Sequence, residues 1–579
     1  MTRHDETPTA TGKVGASRTV PGVFAAAGLI AVVTLVARVV GFGRWLVFSQ
    51  SVGATCGGSV YQAANQLPNV VFEVAAGGAL AAVVVPVIAG QLARQNESEA
   101  TRTASAMLTW TLSLLVPLSI LVAACARYLS TFLVPDQSCA GASDLTASML
   151  VVFSPQIALY GVGIVLAGVL QAHRRFLGVV VAPLLSSLVV IATYLLFAVL
   201  AQGRGDDLTR LPGQASTTLA VGTTLGVATL SLSLLVPVHR AGVRLRPTWT
   251  FPAGVARRAG ALAGAGLLAL FAQQLAVLVT LWVTQHRGGT GTLNVYVYVQ
   301  AIYLLPYAVL AVPFAMSALP ALATGLDQAV LATGVDGADQ VLPSTAADRA
   351  SLARAQSTLA SSARAIIVAT SAGAAMLFAI ASPTGAFFRA LDAGRRTPHG
   401  LEALAALPAA LSAFAPGLVG FGMAALLTRA LYVQGRPAVA GGLVAGGWFI
   451  AAIVPVVSLA PGAGPRSTLL ALGLASSFGM TVAAVGLFLA VRRAWGASAF
   501  LGFGRSALVA CAGGESSAAV GRALAAALDP EGLVAGAVVA ALVAVVVVVV
   551  FAGVIWVGDR GSARLALARV PMLRRGRSR

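Results

Sequence analysis

ARVVGFGRWLVFSQSVGATCGGSVYQAANQLPNVVFEVAAGGALAAVVVP, residues 37–86, places Arg38, Arg44 and Glu73 in an otherwise apolar background. It also carries helix breakers: Gly41 and Gly43 between the arginines, then Pro68, Gly77, Gly78 and Pro86. Ionisable residues at membrane depth face a partner or a water-filled cavity. Irregular backbone at that depth is tolerated only where protein or a cavity receives it. Both features predict a polar cavity beside this stretch.

The rest of the chain supplies the membrane. Its 579 residues are 58% hydrophobic and 10% charged, with a mean hydropathy of +0.87. Soluble domains carry about 25% charged residues, so the composition is that of an integral membrane protein. The net charge of +19 raises nucleic-acid binding as an alternative. The basic residues sit between apolar spans rather than on an aromatic-interleaved soluble face, which excludes it. Lys13 is the only lysine among 38 basic residues, a usage that suggests a GC-rich bacterial source.

Apolar runs of about 20 residues cross a bilayer. They recur near 23–49, 62–90, 104–126, 145–171, 177–201, 216–238, 258–284, 293–323, 359–381, 401–432, 438–460, 468–490, 504–527 and 533–557. The predicted fold is an all-α polytopic membrane protein of about fourteen transmembrane helices. Glu515 and two serines interrupt the thirteenth run. With the N-terminus inside, 26 basic residues fall in inner segments, nine in outer ones, and Arg38, Arg44 and Arg429 within spans. That asymmetry places both termini in the cytoplasm by the positive-inside rule.

An internal repeat divides the chain. VYQAANQLPNVVFEV (60–74) aligns with YVQAIYLLPYAVLAV (298–312), pairing Gln62 with Gln300 and Pro68 with Pro306. The offset of 238 residues equals six spans, an even number, so the halves are parallel repeats of a kind some transporters use. The expected organisation is a disordered tail at 1–20, an N-lobe of six helices at 21–240, and a C-lobe of six at 241–492. A cytoplasmic loop at 324–358 belongs to the C-lobe; two further helices occupy 493–558 and a basic tail 559–579.

Arg38 lies about 21 Å from Phe24 along a helix, past mid-membrane, and Arg44 about 30 Å. The two project about 120° apart on an ideal helix, so convergence on one cavity needs a bend, and Gly41-Phe42-Gly43 offers a place for it. A guanidinium suits phosphate through its planar, bidentate fork and persistent charge; snorkelling to the interface is the plainer account of Arg44, and of Arg429. Glu73 reads as an ion-pair partner for either arginine or as a coupling or substrate group. Gln62, Asn65, Gln66 and Asn69 wet the second helix, and Gln300 with Tyr296, Tyr298, Tyr303 and Tyr307 its repeat; interfacial aromatics explain the first two tyrosines equally well. The chain has no phosphate-cradling loop and no His/Cys cluster at metal spacing, so it reads as a non-enzyme without a cofactor, driven by membrane potential or a coupled cation. One charge crossing 100 mV is worth about 2.3 kcal/mol. Cys56 and Cys139 fall in outer loops, on an oxidising side that leaves a disulfide open to them, and two free thiols are the expected state.

ARVVGFGR (37–44) followed by ANQLPNVVFEVAAGGALAAVVVPV (64–87) resembles the opening signature of the MurJ/MviN family of bacterial lipid II flippases. LQAHRRFLGVVVAPLLSSL (170–188) and LLTRALYVQGRP (426–437) extend the resemblance. It implies the fold of the multidrug/oligosaccharidyl-lipid/polysaccharide exporter superfamily, with two six-helix lobes, a central cavity and a lipid-tail groove at the last two helices. It also implies a bacterial cytoplasmic-membrane location and a substrate, undecaprenyl-diphosphate-linked peptidoglycan precursor, moved outward for cell-wall synthesis. Membrane lipids and other cell-wall proteins are the implied partners. Arg38 and Arg44 match family arginines associated with the diphosphate. Trp45, Ser59, Gly77 and Ala301 stand where family members often carry charges, and Phe72-Glu73 replaces a basic pair. The expected substrate contacts are therefore Arg38, Arg44, Glu73, Gln62, Asn65, Asn69 and Gln300. A multidrug or cation exporter, which would want acidic cavity residues, and a non-transporting cell-wall scaffold are the alternatives.

Overall fold

The structure, a computed structural model, describes residues 21–135, 139–251, 267–316, 322, 346–392 and 398–561. The tail expected at 1–20 and the basic segment 562–579 lie outside those residues. All regular structure among the described residues is helical. The first half comprises α1 (Pro21–Ser51), α2 (Cys56–Phe72), α3 (Gly78–Ala93), α4 (Glu97–Ala124), α5 (Ala126–Leu133), α6 (Ala142–Phe153), α7 (Gln156–Ala172), α8 (Phe176–Ala201), α9 (Gly213–Leu232) and α10 (Leu235–Arg240). The second comprises α11 (Leu267–His286), α12 (Thr292–Pro306), α13 (Ala346–Ala379), α14 (Ala381–Asp392), α15 (Pro398–Ala405), α16 (Leu407–Phe414), α17 (Gly417–Val433), α18 (Pro437–Ser458) and α19 (Gly464–Trp495). Then α20 (Phe503–Leu528) and α21 (Leu533–Gly558) follow.

Eleven helices among the described residues are long and apolar enough to cross a membrane, or twelve if the pair bent by 46° around Pro416 is one span. The expected count of fourteen is not reached by that measure. The other two expected spans coincide with helices that fall short for visible reasons. Gln62, Asn65, Gln66, Asn69 and Glu73 dilute the first part of the segment Cys56–Ala93, which also passes through a π-helical turn at Glu73–Gly77. Helix α20 is diluted by Arg505, Glu515, Arg522 and serines. The loop expected over 324–358 is helical from Ala346 onward.

The parallel repeat is visible in the packing. Helix α1 packs on α8 and α8 on α9; in the second half α11 packs on α18 and α18 on α19. Likewise α4 packs on α7 as α13 does on α17. Two glycines make those last contacts possible: a β-carbon at Gly161 would sit 2.6 Å from the Thr111 methyl, and one at Gly422 2.5 Å from that of Thr370. Small residues at such crossings let membrane helices approach without an apolar driving force. The repeat thus extends to FSPQIALYG (153–161) and FAPGLVGFG (414–422), where a proline breaks the helix in each half. The shared Phe-x-Pro and Gly are a sequence signal that the reading from residues 60–74 and 298–312 missed.

Helices α20 and α21 pack on each other and on α13 of the second half. The aligned prolines each precede a π-helical turn, Glu73–Gly77 after Pro68 and Tyr307–Ala311 directly after Pro306. Single π turns of this kind cluster at functional sites in helices. Helix α1, by contrast, runs unbroken through Gly41-Phe42-Gly43, and a β-carbon at either glycine would meet nothing within 4 Å.

Candidate functional site

The two halves meet where α1 ends and α2 begins. Among the hydrogen bonds that cross between them, Gly291 N–H donates to Ser59 Oγ (2.9 Å), Gln285 Nε2 to the Ser59 carbonyl (3.2 Å), and Asn294 Nδ2 to the Gly53 carbonyl (2.7 Å). All the partners are buried. The close approach depends on glycine. Gly291 has φ +81°, and a β-carbon at Gly58 would lie 2.6 Å from Asn294 Nδ2. The loop 202–212 closes over the same place, with Gly57 N–H donating to the Gly205 carbonyl (2.8 Å) and Cys56 N–H to Asp206 Oδ1 (2.9 Å). Next to it, the Thr209 hydroxyl donates to Asp207 Oδ1 (2.6 Å) and holds that carboxyl below its usual range.

Cys56 is disulfide-bonded to Cys139, with α-carbons 6.2 Å apart. This corrects the expectation of two free thiols: folding brings the ends of an 83-residue separation into bonding distance. The Thr290 hydroxyl of the second half lies 3.5 Å from Cys139 Sγ. Beneath the seal an aromatic stack spans the interface. Phe48 contacts Tyr61, Tyr194 and Tyr298 at centroid distances of 5.7, 5.3 and 6.1 Å, and Tyr298 stacks on Phe388 at 5.1 Å. Tyr61 and Tyr194 share a hydroxyl hydrogen bond of 2.9 Å.

Beyond the stack lies a cavity of about 500 Å³. Trp45 of α1 and Gln66 of α2 reach it, but α11, α12 and α16–α19 build most of its wall. Its lining is aromatic and amide-bearing: Tyr296, Tyr303, Tyr307, Phe421 and Trp448 with Gln273, Gln300, Thr280 and Ser476. Tyr307 packs on Phe421 at 4.5 Å, and Gln300 Nε2 donates to the Tyr296 hydroxyl at 3.0 Å. No acidic or basic side chain lines it among the described residues.

The seven residues singled out from sequence are not gathered into one place. Gln300 alone lines the cavity. Arg38 is exposed, two helical turns before Trp45 on an unbroken helix, so the two project within about 20° of each other. Val32, Leu35, Val36 and Val39 form a separate exposed apolar stripe on α1. Arg44 points elsewhere: its guanidinium lies 5.2 Å from the Trp45 ring, and its Nε is buried without a hydrogen-bond partner. Glu73 is half-buried in the π turn with its carboxylate folded against Gly77. It forms no salt bridge with either arginine among the described residues. Gln62 is 2% exposed, Asn65 and Asn69 are half-buried, and Asn65 Oδ1 lacks a partner. Arg429 donates to the Ala425 carbonyl one turn back and to Met316 Sδ at 3.5 Å.

Residues 48–513 match the family model described as lipid II flippase MurJ. The chain belongs to the lipid II flippase MurJ family. The matched region covers both halves and begins just after the two arginines of α1. A solved structure described as lipid II flippase MurJ in an inward closed conformation shares the fold, with a TM-score of 0.67. The two are 15% identical, over 91% of this chain and 98% of that one. An inward-facing multidrug resistance MATE family transporter of the MOP superfamily follows at a TM-score of 0.57, 14% identity, and 80% and 94% coverage. A MATE structure in complex with MaL6 gives 0.56, 14%, 81% and 95%. Family and fold together identify an integral membrane protein of the flippase and exporter type.

Proposed function

We propose that this chain moves an undecaprenyl-diphosphate-linked peptidoglycan precursor, lipid II, from the inner to the outer leaflet of the bacterial cytoplasmic membrane by alternating access. One observation carries the reading beyond family membership: the halves are sealed at the Ser59–Gly291 end, while the cavity and Arg38 lie on the other side of that seal. With both termini cytoplasmic, the seal is the outer gate and the cavity takes up substrate from within. Arg38, on the cavity-facing side of α1, binds the diphosphate, where an unpaired buried phosphate would be prohibitive. Gln300 and the cavity tyrosines meet the rest of the head group. Arg44, held behind Trp45, and Gln62, enclosed in the core, reach substrate only when the lobes part. Asn65 and Asn69 on α2 and Glu73 in the π turn after it line the route, and the membrane potential or a coupled cation supplies the drive. A cation exporter would want a carboxylate in the cavity, and none lines it among the described residues.

Complementation of a flippase-depleted bacterial strain tests this. The wild-type chain sustains growth, Arg38→Ala does not although it inserts in the membrane, and Arg38→Lys does so only in part because a point charge loses the bidentate fork. Growth supported by Arg38→Ala refutes the role of Arg38. Failure of a well-expressed wild-type chain refutes the lipid II assignment and leaves the scaffold reading.

A further inference from the structure

A second polar site lies at the opposite end of the bundle from the seal, where α13, α20 and α21 converge. A pocket of about 480 Å³ is lined there by Arg364, Gly502, Arg505, Val557, Asp559 and Arg560. Among the described residues, basic groups outnumber acidic ones here. Helix α20 is 26 residues long, its N-cap is Gly502, no side chain caps it, and its first turn holds no acidic residue. Its first amides have no intrahelical acceptor, and that end carries the positive pole of the helix dipole. Arg364 is pressed against it, with Nη1 3.4 Å from where a β-carbon on Gly502 would be. The Nε of Arg364 is buried without a hydrogen-bond partner.

The other described groups of the pocket are engaged elsewhere or few. Arg505 is tied to the last carbonyl of α21, donating from Nε (3.2 Å) and Nη2 (2.9 Å) to Gly558. Asp559 is the one carboxylate that lines the pocket among the described residues; it is 7% exposed and accepts from Ser506 Oγ at 2.5 Å. Among the described residues, three guanidiniums and a helix N-terminus therefore share the pocket with one carboxylate. Helix N-termini and arginine clusters of this kind bind phosphate.

Location decides the source of the phosphate. Val557, 79% exposed, is part of the pocket wall, and Trp556, 49% exposed, precedes it. Both belong to the last turn of α21, a membrane-crossing helix whose exposed side carries Val538, Val545 and Val549. Tryptophan at such a helix end sits at the head-group level. We propose that this pocket holds the phosphodiester of an anionic phospholipid, with the acyl chains along α21, and so anchors the α20–α21 pair to one leaflet. Basic pockets between membrane helices recognise lipid head groups in this way.

The test is thermal unfolding of the full-length chain in neutral detergent, titrated with phosphatidylglycerol, phosphatidylcholine or inorganic phosphate. Phosphatidylglycerol raises the midpoint saturably, and phosphatidylcholine and inorganic phosphate at the same phosphate concentration do so far less. Arg364→Gln and Arg560→Gln each weaken the apparent affinity for phosphatidylglycerol by about tenfold, the worth of one charge-assisted bond. Arg94→Gln, in a loop away from the pocket, leaves it unchanged. Should Arg364→Gln fail to fold, the exposed Arg560 carries the test. Unchanged affinity in Arg560→Gln overturns the site, and equal stabilisation by inorganic phosphate overturns the lipid assignment.

Discussion

Replacing Ser59 by alanine probes the seal with the least change of shape. The Ser59 hydroxyl accepts the Gly291 N–H, one of the hydrogen bonds that cross between the halves. Both residues are buried, so the variant leaves that N–H without water or another acceptor. An orphaned buried donor costs about 1–3 kcal/mol. The cost falls on the sealed state alone, because Gly291 regains water once the halves part. The ratio of parted to sealed molecules should therefore rise about 5- to 150-fold. Amide hydrogen exchange of the purified protein reads this directly, since protected amides exchange through opening equilibria. Exchange over residues 285–300 should accelerate by that factor in Ser59→Ala, while a peptide from α19 keeps its wild-type rate. Unchanged exchange over 285–300 would show that the hydrogen bond does not hold the halves together. Equal acceleration in α19 would show global destabilisation instead of gate opening.

Other outcomes follow from the same geometry. Peptide mapping without reductant should find Cys56 joined to Cys139, with Cys125 and Cys511 as free thiols; Cys139→Ser should lower stability by about 2–5 kcal/mol, the usual cost of losing a native disulfide. Helices α18 and α19 touch backbone to backbone, where a β-carbon at Gly447 would lie 2.6 Å from the Gly479 carbonyl. Gly479→Val should therefore lower the unfolding midpoint by an amount reflecting at least about 1–3 kcal/mol of overpacking, and an unchanged midpoint would mean that this crossing is loose.

Much of the architecture was legible in residues 37–86 and their echo at 298–312. Apolar run length and helix-breaking residues are short-range properties, so they announce membrane helices and a repeat without any knowledge of the fold. The prolines at 68 and 306 marked the two helices that carry π turns, and the motifs around residues 37–44 and 64–87 pointed to the family. The sequence was silent wherever the outcome depended on which distant surfaces meet. The pairing of Ser59 with Gly291 and the bonding of Cys56 to Cys139 are contacts between segments far apart in the chain. Two arginines six residues apart looked like one cradle, but α1 is one continuous helix through its glycines and their side chains part: Arg38 is exposed, seven residues before Trp45, while Arg44 is partly buried with its guanidinium beside the Trp45 ring. Helical phase could separate the two side chains; only tertiary packing decided that Arg38 stays exposed, that Arg44 is partly buried, and that neither lines the cavity. Hydropathy ranks residues one at a time, whereas a seal, a disulfide and a cavity wall are set by the simultaneous fit of helices that the chain brings together last.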